Sequence, residues 1–277
     1  MDIGGQALIE GVLIKTKEQI AISIRKKGEI KTKTEKVSNI SKKFSKILFL
    51  RGIIVLIDTL YIGTKALIFS AKEQEDEEEK TSDFAIGITM FFSFLFAIGV
   101  FVLVPLFVSK LLTEERIYFN LIDGILRIII FVIYLLIISR SKEVIRVFQY
   151  HGAEHMAIHC FEDKKELNVK NCRKYSTIHP RCGTSFLFFV LIISIILFSL
   201  VWHESFLIKF LQRIALIPVI ASVSYELLKF MAKKQSNLFI RMISMPGLRF
   251  QKITTKKPDD LQLEVAIEAV KNAVLTE

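Results

Sequence analysis

Charged residues become sparse over four stretches of this chain and return between them. Phe84 to Ser109 runs 26 residues without a charge, more than a helix needs to cross the ~30 Å hydrocarbon core of a bilayer. Residues 117–139 form a second apolar stretch, interrupted by Asp123 and Arg127, which stand four apart and can pair on one helix face. Cys182 to Trp202 is a third, 21 residues long, and 206–228 a fourth. Lys209 and Arg213 lie near the start of the fourth, where long cationic side chains are expected to reach the nearer interface. Residues 44–72 are also apolar, but Arg51, Asp58 and Lys65 recur every seven residues and draw a polar stripe down one helix face. That pattern predicts an amphipathic helix at the membrane interface or packed beside the bundle.

Two other patterns frame these stretches. Ile20, Ile22 and Ile24 alternate with other residues, Lys26-Lys27-Gly28-Glu29 suits a turn, and Ile30 to Val37 resumes as a Thr-rich strand. The opening Gly4-Gly5-Gln6-Ala7-Leu8-Ile9-Glu10-Gly11-Val12 reads as an edge strand, with Gln6 and Glu10 set among apolar residues. At the other end Pro258-Asp259-Asp260 opens a helix whose Leu263, Ala266, Ile267, Val270 and Val274 share a face. The fold class is therefore an all-α membrane protein with about four transmembrane helices, an amphipathic interfacial helix, a small N-terminal β-element and a C-terminal cytosolic helix. Its expected divisions are a cytosolic β-element (1–43), the interfacial helix (44–72), an acidic linker (73–83), two spans (84–139), a cytosolic His/Cys-rich loop (140–181), two spans (182–228) and a basic cytosolic tail with its terminal helix (229–277).

Composition agrees with the class: 52% of residues are hydrophobic, 23 are Phe, and mean hydropathy is +0.44. The formal net charge of +10 then bears on orientation. Segment 140–181 holds nine Lys/Arg against five Asp/Glu, and 229–257 holds eight Lys/Arg and no acid. The loops 110–116 and 203–205 are short and near neutral. Basic residues accumulate on the cytoplasmic side, so both termini and segment 140–181 are expected there, in a multi-pass protein of the cell membrane. The bilayer is one partner, and an unknown substrate or protein at the cytoplasmic face the other. No aromatic-basic motif supports nucleic-acid binding. The first residues lack the basic region and apolar core of a secretory signal. Three cysteines, an odd number on one cytosolic segment, point to reduced thiols.

Chemistry concentrates between His151 and Cys182, which hold four of five histidines and all three cysteines. In Tyr150-His151-Gly152-Ala153-Glu154-His155 the two histidines are four apart, on one helical face, with a carboxylate before the second. His-x-x-Glu-His is the inverted form of the zincin helix motif. In that reading His151 and His155 are metal ligands, and Glu154 takes a proton from water activated by the ion. Candidates for a third ligand are Glu162, His179, Cys182 and Glu10. His159 extends the same face, and Cys160 and Cys172 complete the cluster.

The same motifs, with Gly4-Gly5-Gln6-Ala7, Glu10-Gly11-Val12, Arg51-Gly52, His179-Pro180-Arg181-Cys182-Gly183-Thr184-Ser185-Phe186, Pro246-Gly247-Leu248 through Pro258-Asp259-Asp260 and Glu264-Val265-Ala266-Ile267, resemble the YqhQ-like family of prokaryotic membrane proteins nearly end to end. The resemblance implies a metal-dependent enzyme of undefined substrate. His151, Glu154, His155, Glu162, His179, Arg181 and Cys182 match the family pattern, as do Gln6 and Glu10. His159 and Cys172 fall at positions it does not fix, which demotes both as ligands. Met156 stands where relatives often place a lysine, and Leu13-Ile14-Lys15 replaces a Met-Met-Arg-like stretch. The expectation is a hydrolase with Zn²⁺ as the favoured ion. Its rival is a non-enzymatic membrane scaffold or assembly factor whose polar or metal cluster only folds the segment.

Overall fold

A computed structural model describes residues 3–37, 50–75, 81–234 and 237–275; the basic stretch 38–49 and residues 76–80 of the acidic linker lie outside it. The N-terminal element is a four-stranded antiparallel sheet in sequence order, β1 (Gly4–Leu8), β2 (Gly11–Lys15), β3 (Gln19–Lys26) and β4 (Glu29–Lys36). Lys26 pairs with Glu29 across a two-residue turn in which Lys27 and Gly28 both have positive φ, 49° and 90°. That is the turn whose twist matches a right-handed hairpin. Both sheet faces are covered. Val12, Ile14 and Ala21 join one core, and Leu8, Leu13, Ile20, Ile22 and Ile24 join another with Ala66.

Ala66 belongs to α1 (Leu50–Gln74). Its heptad stripe exists, but it faces protein. Arg51 pairs with Glu226, Asp58 with Lys15 of β2, and Lys65 with Glu35 of β4 at 3.0 Å. Ile57, Leu60 and Tyr61 point outward.

Beyond it run α2 (Asp83–Ile98), a π-helical turn (Gly99–Leu103) and α3 (Val104–Leu112) as one rod, then α4 (Arg116–Ile138). The π-turn has a cause: Pro105 has no N–H to return to the Phe101 carbonyl, four residues back. After α5 (Lys142–Glu162) and the short α6 (Val169–Cys172) come α7 (Gly183–Leu200), α8 (Phe206–Lys233), α9 (Leu238–Thr254) and α10 (Asp260–Val274).

Among the described residues, five helices are long and apolar enough to cross a membrane: α1, the α2–α3 rod, α4, α7 and α8. This is one more than the sequence pattern counts. The contacts of α1 separate it from the rest. Its first turn meets the last third of α8 through Arg51 and Glu226, and its end meets the start of α2 through Lys72 and Asp83. The chain path puts both anchors at the same end of the bundle, so α1 lies alongside it.

Two expectations change. Segment 140–181 is not a loop: its first half is the 21-residue α5, N-capped by Ser141. Its polar His and Glu hide the apolar period, yet Tyr150, Ala153, Met156 and Ala157 are buried in the core that holds Val12 and Ile14. Nor is 229–277 a tail with one helix. In α9 Gln251 and Thr254 are buried, and α10 buries Leu263, Val265, Ala266 and Val270 in the same core. A capping box, Asp259 with Gln262, starts α10.

Asp123 and Arg127 pair as their spacing predicts, at 3.0 Å. Arg213 does not reach for an interface; it turns inward to the same carboxylate, at 2.6 Å. Arg127 Nη1 also donates to the Phe101 carbonyl at 2.7 Å, the oxygen that Pro105 leaves free.

Candidate metal centre

The helical phase of α5 presents His151 and His155 side by side, their ring centroids 4.5 Å apart. Each is oriented by a backbone carbonyl. His151 Nδ1 lies 2.8 Å from the Thr254 oxygen and His155 Nδ1 lies 2.6 Å from the Thr177 oxygen. A carbonyl only accepts, so in the neutral rings both Nδ1 atoms carry the proton and both Nε2 atoms keep a lone pair. Metal-binding histidines are commonly oriented this way.

Cys182 completes the set. It is the N-cap of α7, and its Sγ lies 3.2 Å from His151 Nε2 and accepts from Thr184 N–H at 3.3 Å. One ligand atom each from His151, His155 and Cys182 falls within 4.8 Å of the others. Burial pushes the thiol pKa up, but the adjoining His155 ring and the hydrogen bond from Thr184 N–H outweigh it and hold Cys182 below its ordinary value. Burial pushes His155 down. Two bare imidazole nitrogens and a sulfur form a donor set that suits Zn²⁺.

Glu154 lies beside them, 4% exposed. Its Oε2 is buried without a hydrogen-bond partner. Burial raises its pKa to about 8, with the Cys182 charge adding to the rise and His151 opposing it. Unpaired buried carboxylates are costly, and a cation at the neighbouring donors meets that demand. The opposing wall is Gly5 of β1, where a Cβ would sit 2.8 Å from the Glu154 carboxylate and 2.6 Å from the Leu13 carbonyl. Gly5, Gly183, Glu154, Arg181 and the donors line a recess of about 100 Å³.

A second group, His159, Glu162 and His179, also brings three potential ligand atoms within 4.8 Å, but most of its valences are spent. His179 Nδ1 accepts from Arg181 N–H at 3.2 Å, so Nε2 carries the proton and donates to Glu162 at 3.3 Å. Glu162 also pairs with the Arg181 guanidinium, and His159 Nε2 donates to the Ile178 carbonyl at 2.9 Å. Burial pushes His179 down to about 4, in keeping with a neutral ring. This group is a hydrogen-bonded network beside the candidate centre.

The candidates thus separate. Cys182 stands with His151, His155 and Glu154; Glu162, His179 and Arg181 form the adjoining network. His159, which the family pattern demotes, belongs to that network, its ring 4.5 Å from that of His179. Cys160 and Cys172 are core residues. Glu10 is tied to Arg146 at 2.5 Å and Tyr150 at 3.2 Å, and Gln6 packs against Gly63 of α1; neither joins the donors. Sequence reasoning missed Thr177, Thr254 and Gln251. The first two act through backbone carbonyls, which leave no side-chain signature. Gln251, fully buried, accepts from His179 N–H and donates to the His179 carbonyl and to Ser185 Oγ, each at 2.9 Å. It clamps the turn that delivers Arg181 and Cys182.

The family described as "Protein of unknown function (DUF1385)" matches residues 47–276 of the chain. A relative called "Uncharacterized protein YqhQ", from Bacillus subtilis (strain 168), is 35% identical over 292 aligned positions covering 96% of this chain and 90% of the relative. No solved structure matches the chain.

Proposed function

We propose, from the premise that the chain belongs to the DUF1385 family of proteins of unknown function, that it is a membrane-embedded, zinc-dependent hydrolase with its centre at the cytoplasmic face. One observation carries the reading. Two imidazoles on adjacent turns of α5 are each turned by a backbone carbonyl so that bare Nε2 atoms meet the Cys182 sulfur, with a partnerless buried carboxylate beside them.

In this reading His151, His155 and Cys182 hold the ion. Zinc at such a site polarises a carbonyl or phosphoryl oxygen and acidifies water. Glu154 has no internal partner competing for its Oε2 and takes the proton from water in the recess. Arg181, restrained by Glu162 at the mouth, orients the oxygen under attack. The recess begins where α7 enters the apolar bundle, so the substrate is one presented at the membrane surface. The basic excess of 140–181 and 229–257 supports a cytoplasmic position for that surface.

The scaffold reading has one observation in its favour: Cys182 also caps α7, so an ion there would pin α7 to α5. Metal content and complementation separate the two. Full-length protein purified in detergent is expected to carry about one equivalent of zinc, the complement of one three-donor site, and to lose it when His151 and His155 are both Ala. Zinc retained in that double variant overturns the ligand assignment. Complementation of a deletion strain by Glu154→Gln, with zinc and abundance intact, favours the scaffold.

A further inference from the structure

The polar cluster at the other end of the bundle does not balance its charge. Asp123, 2% exposed, is its carboxylate. It accepts from Arg127 Nε at 3.0 Å and Nη2 at 3.3 Å, and from Arg213 Nη1 at 2.6 Å. Arg213 is 3% exposed, and its Nε and Nη2 have no acceptor among the described residues. The ammonium of Lys209, 9% exposed, lies over Trp202 at 3.9 Å and Phe119 at 4.3 Å, with no hydrogen-bond acceptor among the described residues. Two guanidinium groups therefore share one buried carboxylate, and the ammonium of Lys209 beside them interacts with Glu114 and Glu204 rather than with Asp123. Aromatic faces soften this: Phe198 lies 4.8 Å from the Arg127 guanidinium carbon and 5.1 Å from that of Arg213. They attract a cation but do not neutralise it, and uncompensated charge inside a bilayer is costly and marks function.

We propose that this cluster binds a phosphate group, that of a phospholipid headgroup in the leaflet opposite the metal centre. Depth supports the choice. Phe198 is two residues from the end of α7, and Trp202 lies beyond it, so the cations sit just beneath the headgroup layer. At 1.5 Å per residue, α7 puts about 27 Å between Cys182 and that end, so the two sites face opposite leaflets. Phosphate is the anion the headgroup layer supplies, and the unused Nε and Nη2 of Arg213 form the edge of a guanidinium that takes two phosphate oxygens in parallel. Lys209 adds a point charge on the interface side. The proposal stands whether or not the donors at the other end hold zinc.

The test is native mass spectrometry of delipidated full-length protein in detergent, titrated with phosphatidylglycerol and, in parallel, with inorganic phosphate. Wild-type protein is expected to retain one lipid. Arg213→Gln should weaken retention by about tenfold or more, the loss of a charge-assisted hydrogen bond, while Lys233→Gln at the opposite end leaves it unchanged. Arg213→Gln also takes a partner from Asp123. If it does not give monodisperse protein, Lys209→Gln, which breaks no ion pair, decides with an expected loss of about threefold or more. Inorganic phosphate that binds with the same sensitivity to these variants identifies free phosphate as the source. Lipid bound equally by wild type and both variants, with no phosphate bound, overturns the proposal and makes the cluster structural.

Discussion

At one end of the bundle two imidazole nitrogens and a thiol converge beside a buried carboxylate. At the other, two guanidinium groups converge on a single carboxylate, with an ammonium alongside over Trp202 and Phe119. Both clusters are buried and both rest on backbone carbonyls, but in opposite senses. The carbonyls of Thr254 and Thr177 accept hydrogen bonds from Nδ1 of His151 and His155 and leave their outer nitrogens bare. The carbonyl of Phe101 accepts a hydrogen bond from Arg127, while Arg213 beside it donates only through Nη1, to Asp123. A buried polar cluster that is purely structural uses up its valences, as the His179–Glu162–Arg181 network largely does. The two ends of this molecule do not: Glu154 Oε2 at one, and Nε and Nη2 of Arg213 at the other, have no hydrogen-bond partner among the described residues.

The largest expected effect tests the first half of this contrast. His151→Ala with His155→Ala should remove essentially all bound zinc, since one remaining sulfur cannot hold it. Elemental analysis checks this, and His159→Ala should keep most of the metal because its ring belongs to the neighbouring network. Next comes Glu154→Gln. Zinc content and abundance should hold while the phenotype drops to that of the deletion, as loss of a general base costs about 10²–10⁴ in rate. Third is Asp123→Asn. Two guanidinium groups lose their shared carboxylate, so thermal unfolding in detergent should show a loss of about 3 kcal/mol, with zinc content unchanged. A parallel fall in zinc would mean that the two ends are coupled.

The smallest effect calibrates both against an exposed pair. Hydrogen bonds from Lys33 and then Lys65 hold the Glu35 carboxyl below its ordinary value of 4.5. Its folded pKa is depressed, so its contribution is complete above the unfolded value and fades as pH falls through the folded one. Water screens the pair, and Glu35→Gln should cost about 0.5 kcal/mol at neutral pH, with the difference from wild type vanishing in acid melts.

Much of this was legible in the residues. The α2–α3 rod, α4, α7 and α8 follow from length and apolarity, and the β3–β4 turn from Lys27-Gly28. The pairing of Asp123 with Arg127 follows from spacing of four. The stripe Arg51, Asp58, Lys65 was visible, but whether it met headgroups or protein depended on partners far away in sequence. The third ligand was not legible either. Glu162 follows His155 by seven residues, which keeps it on the same face of α5 but about 10 Å further along the axis. Only the fold of the chain through Thr177 and Gln251 returns Cys182 to the level of His151 and His155. The helical face of His151, His155 and His159 was legible from their spacing, but the full span of α5 was not, because its polar residues break the apolar period.

The core that joins Val12, Ile14 and Ala21 to Leu263, Val265 and Ala266 has a consequence for synthesis. The strands leave the ribosome first, yet the helix that covers one of their faces is made some 240 residues later. At about 5–20 residues per second, that face waits roughly ten to fifty seconds while four helices enter the membrane. Once His151 is made it, too, lacks its carbonyl from Thr254 for roughly a further hundred residues, so the candidate site is assembled only when translation is nearly over.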